Sequence, residues 1–394
     1  MPTTSTITFR MMPIQLLALL FWFTACSAPA SETQSTANSP ADTAQTPEPL
    51  ESEVEDRRVR TGAEILVESR MDMLKNRRVA IVANQTSRLF DGTHLVDKLH
   101  ELKVNITKVF APEHGFRGDQ DAGARISNSV DEKTGIPIAS LYGKNKKPTA
   151  EVLKDVDIVL FDIQDVGARF YTYISTMSYV MEACAENRKA FVVLDRPNPN
   201  GWYMDGPVME DAYKSFIGMH NVPIVHGMTV GEYARMVNGE GWLKDGVKCI
   251  LDVIQCDGYT HDMQWEATGL PWVAPSPNLG TEYSAYLYPM LCWMEGMSVS
   301  VGRGTPNPFE LFGAPWHQGY HYQLRKDSVN EAPEPSGFQL YGLEMEYLEF
   351  TPRSIKGKSS NPKFKDKKCY GARFTNRVDG KSLMMAGLSL LKNF

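Results

Sequence analysis

The chain has 394 residues, of which 42% are hydrophobic and 22% are charged, an ordinary composition for a globular protein of about two domains. Its 41 basic and 47 acidic residues give a formal net charge of -6 at pH 7. Because proteins that neutralise nucleic-acid phosphates usually carry a basic surface, this charge argues against nucleic acid as the main partner.

Residues 1–26 have the pattern of a secretory signal. Arg10 precedes an apolar run over 14–23 that is too short to span a bilayer, and small residues then lead to Cys26. A cysteine after small residues resembles a bacterial lipobox, in which the cysteine is acylated. The sequence therefore predicts an exported lipoprotein, anchored to a membrane through Cys26 and facing the periplasm or the cell surface. The alternative is an ordinary cleaved signal.

Residues 27–57 are rich in Ser, Thr, Ala, Pro and acidic residues and nearly lack large apolar ones. Such a segment cannot bury enough surface to offset the entropy that it loses on ordering. It is predicted to be a disordered tether between the anchor and the folded part.

Residues 58–240 alternate apolar runs with amphipathic segments. Strands are predicted over 78–83, 104–110, 136–141, 157–162 and 190–195, and helices over 93–102 and 170–187. Strands that are apolar on both faces and separated by helices are typical of a parallel sheet covered on each side. The predicted fold is α/β, a Rossmann-like doubly wound parallel sheet.

Residues 241–394 are less regular and are predicted to form a second, smaller α+β domain. Just before it, Thr229 and Glu232 have the spacing of a capping box and open a helix. A strand is predicted over 247–254. Residues 384–394 begin an amphipathic helix that stops abruptly, which favours a C-terminus that is incomplete.

The five cysteines that follow Cys26 form no C-x-x-C pair, and their number is odd. Both facts argue against a zinc site. A disulfide between Cys249 and Cys256 is one alternative in an oxidising compartment. Buried free thiols are the other alternative, and the one that we favour.

Polar residues follow four of the predicted strands. They are Asn84 and Gln85, Glu113 and His114, Asp162 with Gln164, Asp165 and Arg169, and Asp195 with Arg196. In an open parallel sheet, ligands bind beyond the carboxyl ends of the strands. We therefore expect these residues to face one crevice.

Several motifs that would mark other chemistries do not occur. No G-x-G-x-x-G follows the first strand and no P-loop is present, which argues against a nucleotide cofactor. No clustered acid triad indicates a metal, and no G-x-S-x-G indicates an α/β-hydrolase. The sequence thus predicts a site that works with carboxylates, amides and arginines, without a cofactor or metal.

Glu113 is the leading candidate for chemistry. The proline before it and the glycine two residues after it constrain the backbone and are expected to aim its side chain into the crevice. A carboxyl group in a partly apolar pocket can hold a proton and give it to a leaving group. His114 is a candidate for an orienting or relay group. Asp162 and Asp165 are candidates for a second acid, although an aspartate that ends a strand is often only a cap.

Arginines are the candidates for binding a carboxylate through paired hydrogen bonds. They are Arg125, Arg169, Arg196 and Arg303. A salt bridge to the neighbouring Asp195 is the alternative explanation for Arg196.

Aromatic residues surround the segment 276–282, which contains Asn278 and Glu282. They are Trp272, Tyr283, Tyr286 and Tyr288. Aromatic faces with interspersed amides suit a sugar, and a place in the hydrophobic core is the alternative for each of them.

Five strings occur together in this chain, at 82–87, 111–118, 162–169, 195–199 and 300–305. In this order they resemble the NamZ-type exo-β-N-acetylmuramidases, a glycoside hydrolase family long catalogued as a domain of unknown function. The resemblance implies that terminal N-acetylmuramic acid is removed from the non-reducing end of peptidoglycan fragments. It also implies an active site between a Rossmann-like domain and a smaller one, with Glu113 as the catalytic acid.

An exo-muramidase must hold the lactyl carboxylate of its sugar, which would give one of the arginines a role. The residues expected at the substrate are Asn84, Gln85, Arg117, Gln164, Arg169, Asn278, Glu282 and Arg303.

Two other functions fit the same residues. A lipid-anchored protein that binds muropeptides without cutting them would also need a tether and an aromatic crevice. An amidase or deacetylase that acts on the same fragments is a third, weaker alternative, and analysis of the products would distinguish it.

Overall fold

The structure is a computed structural model that describes residues 58–113, 115–118, 129–143, 145–317 and 337–393. These residues belong to one compact unit. The predicted signal, the tether and Cys26 lie outside the described residues, as do His114 and Arg125.

A seven-stranded sheet forms the centre of the unit. Its strands are β1 (Val79–Ala83), β2 (Ile106–Ala111), β3 (Ser129–Val130), β4 (Pro137–Ser140), β5 (Ile158–Asp162), β6 (Ala190–Leu194) and β7 (Ile250–Ile254). Their order across the sheet is β3-β4-β2-β1-β5-β6-β7, and every pair is parallel except β3 with β4. This confirms the predicted α/β fold with a mostly parallel sheet.

The central strands have apolar side chains on both faces of the sheet, because both faces are covered. Every residue of β1 and β5 is buried. Ala80 and Val82 belong to one hydrophobic cluster, whereas Val79 and Ile81 belong to the cluster on the opposite face. Alternate residues of a strand point to opposite faces, so a strand buried on both sides is apolar at consecutive positions, and Asp162 at the end of β5 is the exception.

Six α-helices accompany the strands in the described part of the chain. They are α1 (Gly62–Ile65), α2 (Leu95–Glu101), α3 (Tyr173–Glu186), α4 (Val230–Gly239), α5 (Glu282–Leu291) and α6 (Gly380–Asn393). The predicted capping box is present at α4, where the Thr229 hydroxyl accepts from the Glu232 amide and the Glu232 carboxylate accepts from the Thr229 amide.

The strand order reverses next to β1, which fixes where a ligand can bind. From β1 the chain moves outward through β2 and β4, and it then returns to place β5 on the other side of β1. A parallel sheet leaves a crevice at such a point, beyond the carboxyl ends of the strands. The segments that follow β1, β2 and β5 therefore lie at the same edge of the sheet.

A second, antiparallel sheet follows. It contains β8 (Leu311–Ala314), β9 (Gly337–Leu340), β10 (Leu343–Phe350) and β11 (Cys369–Phe374), in the order β8-β11-β10-β9. Helices α5 and α6 pack together, with Gly387 of α6 against Met290 of α5. This part is the smaller α+β region that the sequence predicts.

One hydrophobic cluster runs through both sheets. It contains Phe161 of β5 and Phe191 of β6, and it continues through Leu287 of α5 to Phe312 of β8 and Phe374 of β11. Strand β7 also belongs to the first sheet, so that sheet continues past residue 240, where the sequence predicts the boundary between the domains.

The five cysteines of the described region are free thiols, and Cys249 and Cys256 form no bridge. Burial raises the pKa of the Cys249 thiol to about 12, which keeps it protonated and unreactive. No helix in the described part of the chain has the length and apolar character needed to cross a membrane.

Candidate active site

A cleft of about 540 Å³, open to solvent, lies between the carboxyl ends of the parallel strands and the C-terminal region. Its lining residues are Glu113, Phe170, Tyr171, Thr172, Tyr173, Ser276, Leu279, Tyr288, Arg303 and Phe309. The predicted catalytic glutamate thus shares a cleft with one predicted arginine and with several aromatic side chains.

Glu113 follows β2 and lies at one side of the cleft. The next described residue, Gly115, has a φ of 82° and donates its amide to the carbonyl of Pro112 at 3.1 Å, which closes a tight turn. The Thr172 hydroxyl donates to Oε2 of Glu113 at 3.3 Å. Burial, and then the charge of the neighbouring Glu113, raise the pKa of the Tyr142 phenol.

Aromatic rings form the walls of the cleft. Tyr171 packs edge-on against Tyr173 and Tyr288, with ring centroids 5.0 and 5.5 Å apart, and Tyr288 packs in the same way on Phe309 at 5.1 Å. Burial raises the pKa of the Tyr171 phenol well above its usual value, so this hydroxyl stays protonated. The Tyr171 oxygen is itself buried, so these residues offer mainly apolar ring surface, which suits the C–H face of a sugar.

Arg303 lies in a Gly-Arg-Gly turn and lines the cleft. Gly302 and Gly304 have φ values of 81° and 82°, which other residues rarely adopt. Glu295 accepts hydrogen bonds from Nε at 2.5 Å and from Nη2 at 3.3 Å. Burial opposes the charge of Arg303, but Glu295 outweighs burial and raises the pKa of the guanidinium, so the side chain stays cationic.

The segment 270–279 forms one wall of the cleft and is held by side chains of the first sheet. Nε2 of Gln85 donates to the carbonyls of Ala274 and Pro275, at 2.9 and 3.1 Å. The Tyr173 hydroxyl donates to the same Pro275 carbonyl at 2.7 Å. Gln85, predicted to bind substrate, is thus committed to positioning this wall.

Two predicted asparagines serve the backbone. Oδ1 of Asn84 accepts from the amide and the hydroxyl of Thr86, at 2.9 and 2.6 Å. Nδ2 of Asn278 donates to the carbonyl of Lys358 at 2.8 Å, which ties the cleft wall to the C-terminal region. Neither residue lines the cleft.

Asp162 is fully buried and bound to Arg196. Its two carboxylate oxygens accept from Nε and Nη2 of Arg196, at 2.6 and 3.0 Å. Burial raises the pKa of Asp162, whereas the charge of Arg196 lowers it. The ion pair gives both residues a structural role, and neither lies in the lining of the Glu113 cleft. Arg196 pairs with Asp162 rather than with the neighbouring Asp195.

Asp165 is also buried, and no cation among the described residues pairs with it. Oδ2 accepts from the Gly167 amide at 2.8 Å, and Oδ1 makes no hydrogen bond to a residue that the structure describes. Burial raises the pKa of Asp165 to about 7, so the side chain is a carboxylic acid over much of the acidic and neutral range. Its neighbour Gln164 donates to the carbonyls of Asp165 and Pro197.

The other predicted binding residues are held away from the cleft. Arg117 pairs with Asp97 and Asp131, at 2.9 and 2.8 Å. Arg169 donates to the carbonyls of Pro207 and Val222, which fixes two loop segments. Glu282, at the start of α5, pairs with Arg377.

A second pocket of about 390 Å³ lies beyond the carboxyl ends of β1 and β5, and Thr86, Gln164 and Arg196 line it. The polar strand ends therefore do not meet in one crevice, because those of β1, β5 and β6 contribute to this pocket and that of β2 contributes Glu113 to the other. The segment 270–279 separates the two, since Val273 lines the second pocket and Ser276 lines the cleft.

Several cleft residues are ones that the sequence reasoning missed. Tyr171, Thr172 and Phe309 line the cleft, and Tyr142 lies beside Glu113. The run 170–173 follows the polar end of β5 directly, and this position was a signal that could have placed it at the site. Of the aromatic residues that were singled out, Tyr288 lines the cleft. Tyr283 and Tyr286 instead stack on each other, with Arg377 over both rings.

No group of three or more His, Cys, Asp or Glu side chains that could hold a metal ion occurs among the residues that the structure describes.

Comparison with known proteins identifies the family. The family model for the N-terminal domain of exo-β-N-acetylmuramidase NamZ matches residues 79–283, and the model for its C-terminal domain matches 286–392. The chain belongs to the NamZ family. The two models meet within α5, after the last strand of the seven-stranded sheet.

Relatives agree with this assignment. The peptidoglycan β-N-acetylmuramidase NamZ of Bacillus subtilis (strain 168) is 40% identical over 338 residues, which cover 85% of this chain and 77% of that protein. Two crystal structures of DUF1343 family proteins from Bacteroides fragilis also match. The first is 41% identical with a TM-score of 0.66, and the match covers 82% of this chain and 78% of the B. fragilis chain. The other has 34% identity and a TM-score of 0.72, covering 85% and 84%.

If Asp162 is structural, its removal should destabilise the fold. Asp162→Ala leaves the buried Arg196 charge without a partner, and we expect a loss of about 3–5 kcal/mol in the free energy of unfolding. Urea unfolding followed by tryptophan fluorescence measures this loss. The double variant Asp162→Leu with Arg196→Met should recover most of it, because no unpaired charge remains. An unchanged midpoint for Asp162→Ala would contradict the structural role.

Asp165 should make stability depend on pH. Its ordinary pKa of 3.8 is raised to about 7 in the folded state, so the unfolded chain ionises first as the pH rises. The free energy of unfolding of the wild type therefore falls by a few kcal/mol in total as the pH rises from about 4 to about 7, and this contribution is constant at higher pH. Asp165→Asn has no carboxyl group to ionise at this position. Its melting temperature minus that of the wild type should therefore increase across the same pH interval. Parallel melting curves of the two proteins would contradict this expectation.

Proposed function

We propose that this protein is an exo-acting β-N-acetylmuramidase that hydrolyses terminal N-acetylmuramic acid from the non-reducing end of peptidoglycan fragments. The observation that carries the proposal is the position of Glu113, a half-buried carboxyl group in an aromatic-walled cleft of a chain that belongs to the NamZ family. The B. subtilis relative is named for action on peptidoglycan, and we extend that substrate class to this protein.

Glu113 is the group that we assign as general acid, which protonates the glycosidic oxygen as the bond to the leaving sugar breaks. A positioned carboxylic acid contributes roughly 10²–10⁴-fold to such a step. The hydrogen bond from Thr172 restricts the orientation of the carboxyl group, and the Tyr142 phenol interacts with it as well. The cleft walls keep part of the surrounding water away, which favours proton transfer from the side chain.

The aromatic walls fit the remaining requirement, which is to hold a sugar ring beside that acid. Phe170 is half-buried and lines the cleft, and it packs on Tyr288, which with Phe309 is buried in the same wall. The C–H faces of a pyranose pack on such rings, while its hydroxyl and acetamido groups need hydrogen-bonding partners. Thr172 and Ser276 supply hydroxyls in the same cleft.

Asp162, Asp165 and Glu282 lie outside the lining of the cleft, so we assign none of them as the partner of Glu113. The stereochemical course of hydrolysis is read from the anomer that forms first, and this distinguishes inverting from retaining chemistry. Proton NMR of the sugar released in the first minutes of reaction reports that anomer.

Glu113→Gln should abolish most turnover of a chromogenic β-N-acetylmuramide while it leaves the fold intact. We expect kcat to fall by roughly 10²–10⁴-fold, because glutamine has the shape of the acid but no acidic proton. Glu349→Gln is the matched control, since Glu349 pairs with Lys368 in the second sheet and is exposed. Near-normal turnover by Glu113→Gln would remove this residue from the catalytic role. If the wild type binds the muramide without turnover, the protein is a muropeptide-binding protein instead.

We further propose that the protein works outside the cytoplasm on a lipid anchor at Cys26. The support comes from the sequence, in which an apolar signal and small residues precede Cys26 and a polar tether over 27–57 follows it. Cys26→Ser should move the protein from the membrane fraction to the soluble fraction of bacteria that express it. Ser31→Ala, a change within the tether, is the control and should leave the distribution unchanged. A membrane-bound Cys26→Ser protein would refute the anchor.

A further inference from the structure

The candidate arginines from the sequence have different hydrogen-bonding partners in the structure. This difference identifies the one that is able to bind a carboxylate of the substrate. Arg117 is committed to two aspartates, Arg169 to two backbone carbonyls, and Arg196 to a buried aspartate. Within the described part of the chain, Arg303 is the arginine that lines the same cleft as Glu113.

The backbone around Arg303 is built to hold the side chain in one place. The Thr305 hydroxyl and amide both bind the carbonyl of Gly302, at 2.7 and 3.0 Å. A Cβ atom on Gly302 would lie 2.8 Å from the carbonyl oxygen of Asn307, and one on Gly304 would lie 2.5 Å from that of Arg353. The turn therefore packs too closely to accept a side chain at either glycine.

Two neighbouring side chains hold the guanidinium group of Arg303 in place. Glu295 binds Nε and Nη2, and the guanidinium carbon lies 5.1 Å from the centre of the Phe309 ring. The remaining nitrogen, Nη1, makes no hydrogen bond to any residue in the described ranges. Arg303 thus presents a fixed, charged donor at the cleft, and an anion that binds there pays little entropy to order it.

We propose that Arg303 binds the carboxylate of the lactyl group that distinguishes muramic acid from glucosamine, and so determines the specificity of the site. This proposal rests on the proposed function, because it assigns a role within the same cleft. The lactyl ether is the part of N-acetylmuramic acid that N-acetylglucosamine lacks. A site with a cationic donor held at one position favours the sugar that carries the anion.

The test compares substrates that differ in this one charge. The three substrates are the chromogenic β-N-acetylmuramide, the same compound with its lactyl carboxyl converted to the methyl amide, and the β-N-acetylglucosaminide. For Arg303→Gln, kcat/KM on the free acid should fall by roughly ten- to hundredfold, mainly through KM, because a charge-assisted hydrogen bond is lost. Turnover of the methyl amide should stay within about twofold, because that substrate has no charge for Arg303 to bind.

Two further variants test whether the effect is specific to the guanidinium group of Arg303. Arg303→Lys keeps the charge but loses the planar fork, and it should retain part of the preference for the free acid. Arg373→Gln removes an exposed arginine of the second sheet that pairs with Glu346, and the substrate preference should not change. If Arg303→Gln does not fold, the comparison of free acid with methyl amide is made on Arg303→Lys.

An equal loss on the free acid and on the methyl amide would show that Arg303 only supports the fold of the turn, and would overturn the proposal. An unchanged preference would overturn it as well. Calorimetric binding of N-acetylmuramic acid and N-acetylglucosamine separates this proposal from the proposed function. If the wild type shows no turnover but binds the muramic sugar selectively, and Arg303→Gln loses that selectivity, the specificity proposal stands and the hydrolase proposal fails.

Discussion

The cleft depends on a small set of hydrogen bonds between the first sheet and the segment 270–279. Gln85, which follows β1, and Tyr173, which begins α3, both donate to the backbone carbonyls of 274–275. Trp272 donates its indole N–H to the carbonyl of Leu279, which holds the segment in its folded shape. Without these bonds, the segment would have no fixed position between Glu113 and the second pocket. Among the polar residues at the strand ends, Gln85 therefore acts by positioning the wall that a sugar would contact.

The acidic residues near the strand ends show how environment divides similar side chains among different tasks. Asp162 is neutralised by a bidentate arginine, and Asp165 is kept protonated by burial. Glu113 has a hydroxyl neighbour and an open cleft in front of it. All three end or follow a parallel strand, yet only the surroundings of Glu113 leave its carboxyl group available to a ligand. The removal of a sugar from the end of a glycan needs one such acid at a fixed place.

The α/β fold could be predicted because its signal is local. Continuous apolar runs such as Val79–Ala83 occur where a strand is buried on both faces, and the capping box at Thr229 is a pattern of four residues. Pairing among side chains could not be predicted in the same way. Arg196 and Asp162 are separated by 34 positions, so the sequence offered the neighbouring Asp195 as the simpler partner. The division of the strand ends between two pockets depends on the path of 270–279, which no short pattern encodes.

The hydrophobic cluster that runs from the parallel sheet into the antiparallel one has a consequence for motion. Two bodies that hinge about a ligand usually meet through a thin, polar interface that can part at little cost. Here Phe161 and Phe374 belong to one continuous core, and parting the sheets would expose it to water. We therefore expect the width of the cleft to be set when the chain folds. The sugar would enter a preformed slot, and heating should melt both sheets in one cooperative transition.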